Sequence, residues 1–147
     1  MPSQTETRIM PHSPEQMFDL IGDIAKYPEF IPWIAGARIR KTTEIVDGTV
    51  IEADLIVSFK VFRERFTSRV TIKPDARTID VEYLDGPFKY LVNSWRFTPH
   101  ADGCEVYFHV DFEFKSKVLQ ALIGVVFTQA MNRIVGAFEK RAEALYG

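Results

Sequence analysis

Cysteine and histidine are scarce in this sequence: Cys104 is the one thiol, and His12, His100 and His109 are the three imidazoles. A single cysteine excludes an internal disulfide and fits a reducing compartment. The histidines fall in a turn, a polar loop and an outward strand position, so no two have metal-ligand spacing. No phosphate loop, G-x-S-x-G elbow or dinucleotide fingerprint occurs. Neither charge sign is in excess: a net charge of −2 and a pI near 5.9 argue against wholesale binding of DNA or other polyanions, leaving room only for a local basic patch. No apolar run approaches the ~20 residues that span a bilayer. The opening MPSQTETRIM has neither an apolar signal core nor an Arg-rich leader. A cytoplasmic protein is therefore expected, with at most a peripheral contact at the inner membrane. Repeats, linkers and low-complexity segments are missing too, so residues 1–147 read as one domain.

Aromatic residues, by contrast, are plentiful: twelve Phe, five Tyr and two Trp in 147 residues. Aromatics beyond the needs of a core often line pockets. The longest regular stretch is Lys117 to Tyr146, uninterrupted by proline, with Ser116 as N-cap. As one straight helix it would be roughly 45 Å long. Leu119, Ile123, Phe127, Ala130, Ile134, Ala137, Phe138 and Leu145 share one face, with Asn132, Glu139, Lys140 and Glu143 opposite. The first third breaks this pattern. Val118, Leu122 and Val125 occupy the side where polar residues belong, so Val118 to Phe127 is apolar nearly all round. Either other parts of the chain cover the second side, or the segment closes over a ligand or rests on a membrane or partner. Gly124 and Gly136 permit close packing or slight bending.

The rest of the chain supplies the concave partner such a helix needs. Gln4 to Met10 reads as a short strand, and Ser13-Pro14 starts a helix that runs to about Asp23, with Met17, Leu20, Ile21 and Ile24 on one face. Two prolines in Tyr27-Pro28-Glu29-Phe30-Ile31-Pro32-Trp33 allow only a short turn or irregular segment, and its apolar content means that it packs over something. From there to Phe114 the period is two. Strands are predicted over Arg38–Ile45, Thr49–Phe59, Phe62–Lys73, Thr78–Leu84, Tyr90–Thr98 and Cys104–Phe114, joined by turns at Asp47-Gly48, Pro74-Asp75, Asp85-Gly86-Pro87 and Pro99–Gly103. The expected fold is α+β: a twisted antiparallel sheet of about seven strands wrapped around the C-terminal helix.

Four segments carry a resemblance to a known family: His12-Ser13-Pro14; Tyr27 to Trp33; Phe66-Thr67-Ser68-Arg69-Val70; and Val110-Asp111-Phe112-Glu113-Phe114 together with Ala137-Phe138-Glu139-Lys140-Arg141-Ala142. In this order they resemble the coenzyme Q-binding protein family of the helix-grip superfamily, which includes the steroidogenic acute regulatory-related (START) lipid-transfer domains. The resemblance implies a hydrophobic cavity between sheet and helix. It also implies a bound ubiquinone or similar isoprenoid lipid, and a carrier role in respiratory electron transport without chemistry. The same family has a bacterial branch resembling the ribosome-association toxin, which implies the large ribosomal subunit as an alternative partner. Some helix-grip relatives are polyketide cyclases or aromatases, so an enzyme reading rests on fold analogy alone.

For such a cavity the inward positions nominate Leu55, Val57, Phe59, Phe62, Phe66, Leu91, Trp95, Phe108 and Phe112 from the sheet, and Phe127, Met131 and Val135 from the helix. Tyr27, Phe30 and Trp33 would form the rim, and Val118, Leu122 and Val125 a gate or a transient membrane contact. The same side chains could equally fill a plain core. Glu64, Ser68 and Asn93 are the polar residues at inward positions. A quinone head group only accepts hydrogen bonds, so Ser68 and Asn93 can donate to it and an ionised Glu64 cannot. Glu64 either sits in water at the strand end, is protonated, or pairs with Arg141. Arg63, Arg65 and Arg69 form an outward row opposite Glu52, Asp54, Asp80 and Glu82, and are read as cross-strand ion pairs or as a contact for RNA or anionic lipid.

Overall fold

The computed structural model describes residues 3–59 and 62–147, apart from the side chains of Phe59, Phe62 and Val126. Its elements in chain order are β1 (Ser3–Met10), α1 (Pro14–Gly22), a 3-10 helix (Ile24–Glu29), β2 (Ile34–Ile45), β3 (Gly48–Phe59), β4 (Phe62–Lys73), β5 (Thr78–Asp85), β6 (Phe88–His100), β7 (Gly103–Phe114) and α2 (Lys117–Tyr146). All seven strands join one antiparallel sheet in the order β1-β7-β6-β5-β4-β3-β2. Strands β2 to β7 follow one another as hairpins, and β1 returns to the far edge beside β7. The sheet's inner face is alternately apolar. In β7 every second residue from Cys104 to Phe114 is buried, as the period-two pattern requires.

Local chemistry sets the element ends. Ser13 accepts a hydrogen bond from the Gln16 amide at 3.0 Å, while the Gln16 side chain accepts one from the Ser13 amide at 3.0 Å, closing a capping box ahead of Pro14. Ser116 caps α2 through the Leu119 amide at 3.2 Å. Gly86 has φ +143, and a Cβ there would lie 2.7 Å from Phe66 Cβ, so only glycine turns the chain from β5 to β6 at this point.

Several boundaries differ from the sequence reading. Strand β2 starts at Ile34 rather than Arg38, because irregularities between Ile34 and Gly36 and between Ile39 and Lys41 disrupt the alternation that marks a strand. Strand β6 begins at Phe88 and runs through Pro99 to His100, which pairs with Gly103 across the two-residue turn Ala101-Asp102. The segment after α1 forms one 3-10 stretch with Pro28 inside it. Helix α2 is not straight: its axis bends by 66° between Lys117–Val125 and Phe127–Tyr146. Gly124, which has no atom within 4 Å of where its Cβ would stand, sits next to the bend.

The longer arm of α2 lies against the sheet through Phe127, Val135, Phe138 and Ala142, all buried. Phe138 is the hub, with its ring 5.6 Å from Trp95, 5.6 Å from Tyr27 and 5.5 Å from Phe30. Two ion pairs clip this arm from either side: Arg8–Glu139 at 2.8 Å and Arg141–Glu29 at 2.9 Å. The Arg141 hydrogen bond holds the Glu29 carboxyl below the ordinary carboxylate range.

Candidate functional site

Sheet and helix do not close completely on one another. Two adjoining chambers of about 230 Å³ each remain between them, and they share Phe66, Leu91, Val110, Met131 and Ile134 as common walls. Joined, they fall in the ~300–1,000 Å³ range of small-molecule sites. The inner chamber takes Leu55, Ser68, Asn93, Trp95 and Phe108 from the sheet, Val135 from α2 and Tyr27 from the 3-10 stretch. The outer chamber takes Val57, Glu64, Phe88 and Phe112, with Phe127 and Ile123 from α2 and Trp33 from the entry to β2. Trp33 sits at φ 71, a conformation that a bulky side chain rarely adopts, and its carbonyl accepts the Ser58 amide at 2.7 Å. That bond fixes the main chain at Trp33, a residue that lines the outer chamber.

The walls are hydrocarbon almost throughout, so each polar group inside matters. The Tyr27 hydroxyl donates to the Ile21 carbonyl, and burial, then the nearby Asp23 charge, pushes its ionisation far above the ordinary phenol value. It stays neutral. Asn93 donates to the His109 carbonyl at 2.9 Å and accepts from Trp95 Nε1 at 3.0 Å, so its amide is engaged at both ends. It holds the Trp95 indole, and its second N–H remains as a donor. The Ser68 hydroxyl is the exception. Ser68 is 3% exposed, lines the inner chamber, and its Oγ has no hydrogen-bond partner among the described residues. A buried hydroxyl without a partner is costly unless something else in the cavity accepts its proton.

The expected site residues mostly converge. Tyr27, Leu55, Phe66, Ser68, Leu91, Asn93, Trp95, Phe108, Met131 and Val135 line the inner chamber, and Trp33, Val57, Glu64, Phe112 and Phe127 the outer one. Phe30 does not join them: it packs beside Phe138 and under the Arg141 guanidinium, on the flank of α2. The side chains of Phe59 and Phe62 lie outside the described residues. Glu64 is exposed at the rim, near the end of β4, and Arg141 pairs with Glu29 instead of reaching it. Of the outward arginines, Arg69 meets Glu52 at 4.0 Å and Glu82 at 3.5 Å, as cross-strand pairing predicts. Asp80 pairs with Arg96, and Asp54 is buried, accepting from Thr67 at 2.5 Å with Arg40 at 3.6 Å. Arg63 and Arg65 are exposed and show no ion pair among the described residues.

Sequence reasoning missed Ile24, Ala53, Val70, Ile79, Val110 and Phe88. Val70 and Val110 share the alternation of Ser68 and Phe108, so that signal was present. Phe88 was hidden by placing the start of β6 two residues late. Val118 and Val125, 78% and 85% exposed, and Leu122 at 37% stand uncovered on the short arm of α2, whose Ile123 lines the outer chamber. Nothing in the described chain covers the second apolar side of that arm. Among the described residues no group of three His, Cys, Asp or Glu side chains is placed to hold a metal ion, and no single helix is long and apolar enough to cross a membrane.

Comparison with known proteins adds to this geometry. The profile of a family described as polyketide cyclase / dehydrase and lipid transport matches residues 10–139. The ribosome association toxin RatA of Rickettsia prowazekii is 39% identical over 97% of this chain and 97% of its own length. A mitochondrial coenzyme Q-binding protein homologue of Xenopus laevis is 32% identical over 97% of this chain, which spans 59% of that longer protein. The solution structure of an 18 kDa protein from Caulobacter crescentus superposes with a TM-score of 0.84 at 39% identity, covering 100% of this chain and 99% of the other.

Proposed function

The chain belongs to the polyketide cyclase / dehydrase and lipid transport family, and from that premise we propose that it binds and carries ubiquinone or a similar isoprenoid lipid, performing no chemistry on it. The observation that carries this reading is the buried Ser68 hydroxyl, which has no partner among the described residues, in an apolar cavity. A quinone ring offers carbonyl oxygens that accept a hydrogen bond and donate none, which suits a lone hydroxyl donor. The flat ring would stack near Trp95 and Phe108, whose own rings are 5.2 Å apart, and the isoprenoid tail would leave through the outer chamber past Trp33 and Phe127. Exposed Val118, Leu122 and Val125, next to Lys115 and Lys117, would touch an anionic bilayer while the ligand transfers. The kinship of the Xenopus coenzyme Q-binding homologue supports the same ligand class.

The test is organic extraction and mass spectrometry of protein purified from its native host, followed by titration of delipidated protein with a short-chain ubiquinone. A stoichiometric quinone is expected, along with quenching of Trp95 fluorescence. An empty extract combined with no quenching sinks the proposal.

A second reading is association with the large ribosomal subunit, favoured by the RatA relative at 39% identity. Salt-sensitive co-sedimentation with ribosomes supports it, and sedimentation apart from ribosomes at low salt excludes it.

A further inference from the structure

A second concave site lies on the flank of α2, beside the outer chamber, with which it shares Pro32. It is a groove of about 470 Å³ between the chain at Phe30-Pro32 and the long arm of α2. Its floor is small, made by Gly136, Ala137 and Ala144, and its walls carry Arg133, Lys140 and Arg141. These residues recur every three or four positions and so share one helix face, with Arg133 and Arg141 about 12 Å apart along the axis. The acidic residues of this arm, Glu139 and Glu143, lie on the opposite flank against Met10 and His12.

Two of the three cations, Arg133 and Lys140, have no carboxylate partner among the described residues, and the two guanidinium groups are held by aromatic rings. The Arg133 guanidinium stands 5.4 Å from the centroid of the Trp33 ring, and that of Arg141 stands 5.1 Å from the Phe30 ring. Stacking on an aromatic ring fixes a guanidinium in place while leaving its donor edge available to an oxyanion. Arg141, by contrast, is committed to Glu29 through Nη2 and borders the groove as a wall. Cations converging on one point would hold a single phosphate. Cations set out in a row, with small residues between them, suit a chain of phosphates.

We infer that this groove binds the phosphodiester backbone of single-stranded RNA. The inference does not depend on the cavity and its lipid, and it would supply the contact that a ribosomal role requires. A bilayer surface fits the groove poorly, because the groove is concave and projects no side chain that could insert among acyl chains.

The probe is a fluorescein-labelled, mixed-sequence 16-nucleotide single-stranded RNA, read by anisotropy with the full chain. With two uncommitted cations the log–log salt slope should be about −1.4, or about 7-fold weaker binding at 200 mM than at 50 mM salt. Arg133→Gln and Lys140→Gln should each weaken binding several-fold and flatten that slope. Gly136→Leu should block the groove without loss of fold, because a Cβ there meets no atom within 4 Å and leucine favours a helix over glycine. Quenching by short-chain ubiquinone should be unchanged in Lys140→Gln and Gly136→Leu, neither of which touches a chamber wall, and this keeps the result separate from the fate of the lipid reading. The double variant Arg63→Gln, Arg65→Gln should bind RNA as the parent does. No RNA binding by the parent, or undiminished binding by the groove variants, overturns the inference. So does loss confined to the Arg63/Arg65 variant, or groove-dependent binding to anionic phospholipid vesicles without binding to RNA.

Discussion

Replacing Ser68 by alanine should move stability and ligand affinity in opposite directions. In the ligand-free protein its hydroxyl is buried and has no partner among the described residues. Leaving such a group unsatisfied costs about 1–3 kcal/mol. Alanine removes the group and keeps nearly the same volume, so Ser68→Ala is expected to stabilise the empty protein by about 1 kcal/mol. For a chain of this length that is an increase in Tm of about 2–4 °C. With a quinone bound, the parent makes a hydrogen bond that the variant lacks, worth about 0.5–1.5 kcal/mol net. The Kd should then rise about 2- to 12-fold. Thermal unfolding followed by circular dichroism reads the first effect. The second is read by titrating a short-chain ubiquinone in a Trp33→Phe background, where Trp95 in the inner chamber is the sole indole reporter. A lower Tm, or an unchanged Kd, would refute the assignment of Ser68 as the head-group donor.

Other expectations follow from the same packing. Asp in place of Val118, Leu122 and Val125 should lower partition onto anionic vesicles by at least ~10-fold, because each buried apolar side chain contributes roughly 1.5–3 kcal/mol. Its Tm should hardly change, since these side chains are already exposed; equal partition of parent and variant removes the membrane contact. Phe138→Ala should cost about 3–5 kcal/mol of unfolding free energy in urea, since it deletes the ring on which Tyr27, Phe30 and Trp95 converge; a loss below ~1 kcal/mol would show that the hub is not cooperative. Burial pushes the Cys104 thiol up to about 11 from an ordinary value of 9.0. A raised folded-state value means that this contribution to stability is complete below pH 9 and is lost as pH rises toward 11, so stability should fall across that window and Cys104→Ala should flatten the slope. A matching slope in the variant assigns the alkaline loss to another group, such as Tyr27.

The linear pattern by itself determined a great deal of this protein. Strict alternation in Cys104 to Phe114 set which face of β7 is buried, because side chains on a strand point to opposite sides with a period of two. Ser13-Pro14 and Ser116 marked helix starts, because a cap is made by neighbours in the chain. The misplaced apolar residues Val118, Leu122 and Val125 marked a second apolar side on the helix, since a helix has fixed angular geometry whatever surrounds it, and the structure shows that side exposed.

What depended on residues remote in sequence was settled only by the tertiary structure. Ser68 and Asn93 look alike as inward polar residues, yet one has no partner among the described residues and the other is tied to Trp95 and His109, because β6–β7 register decides which partners come within reach. The inward pattern alone also left Glu64 undecided; a position near the end of β4 puts it in water. The groove that aligns Arg133, Lys140 and Arg141 exists only because Trp33 and Phe30, some hundred residues earlier, are brought against the flank of α2. Periodicity reports which way a side chain points. What it meets there is decided by how the sheet curls around the helix.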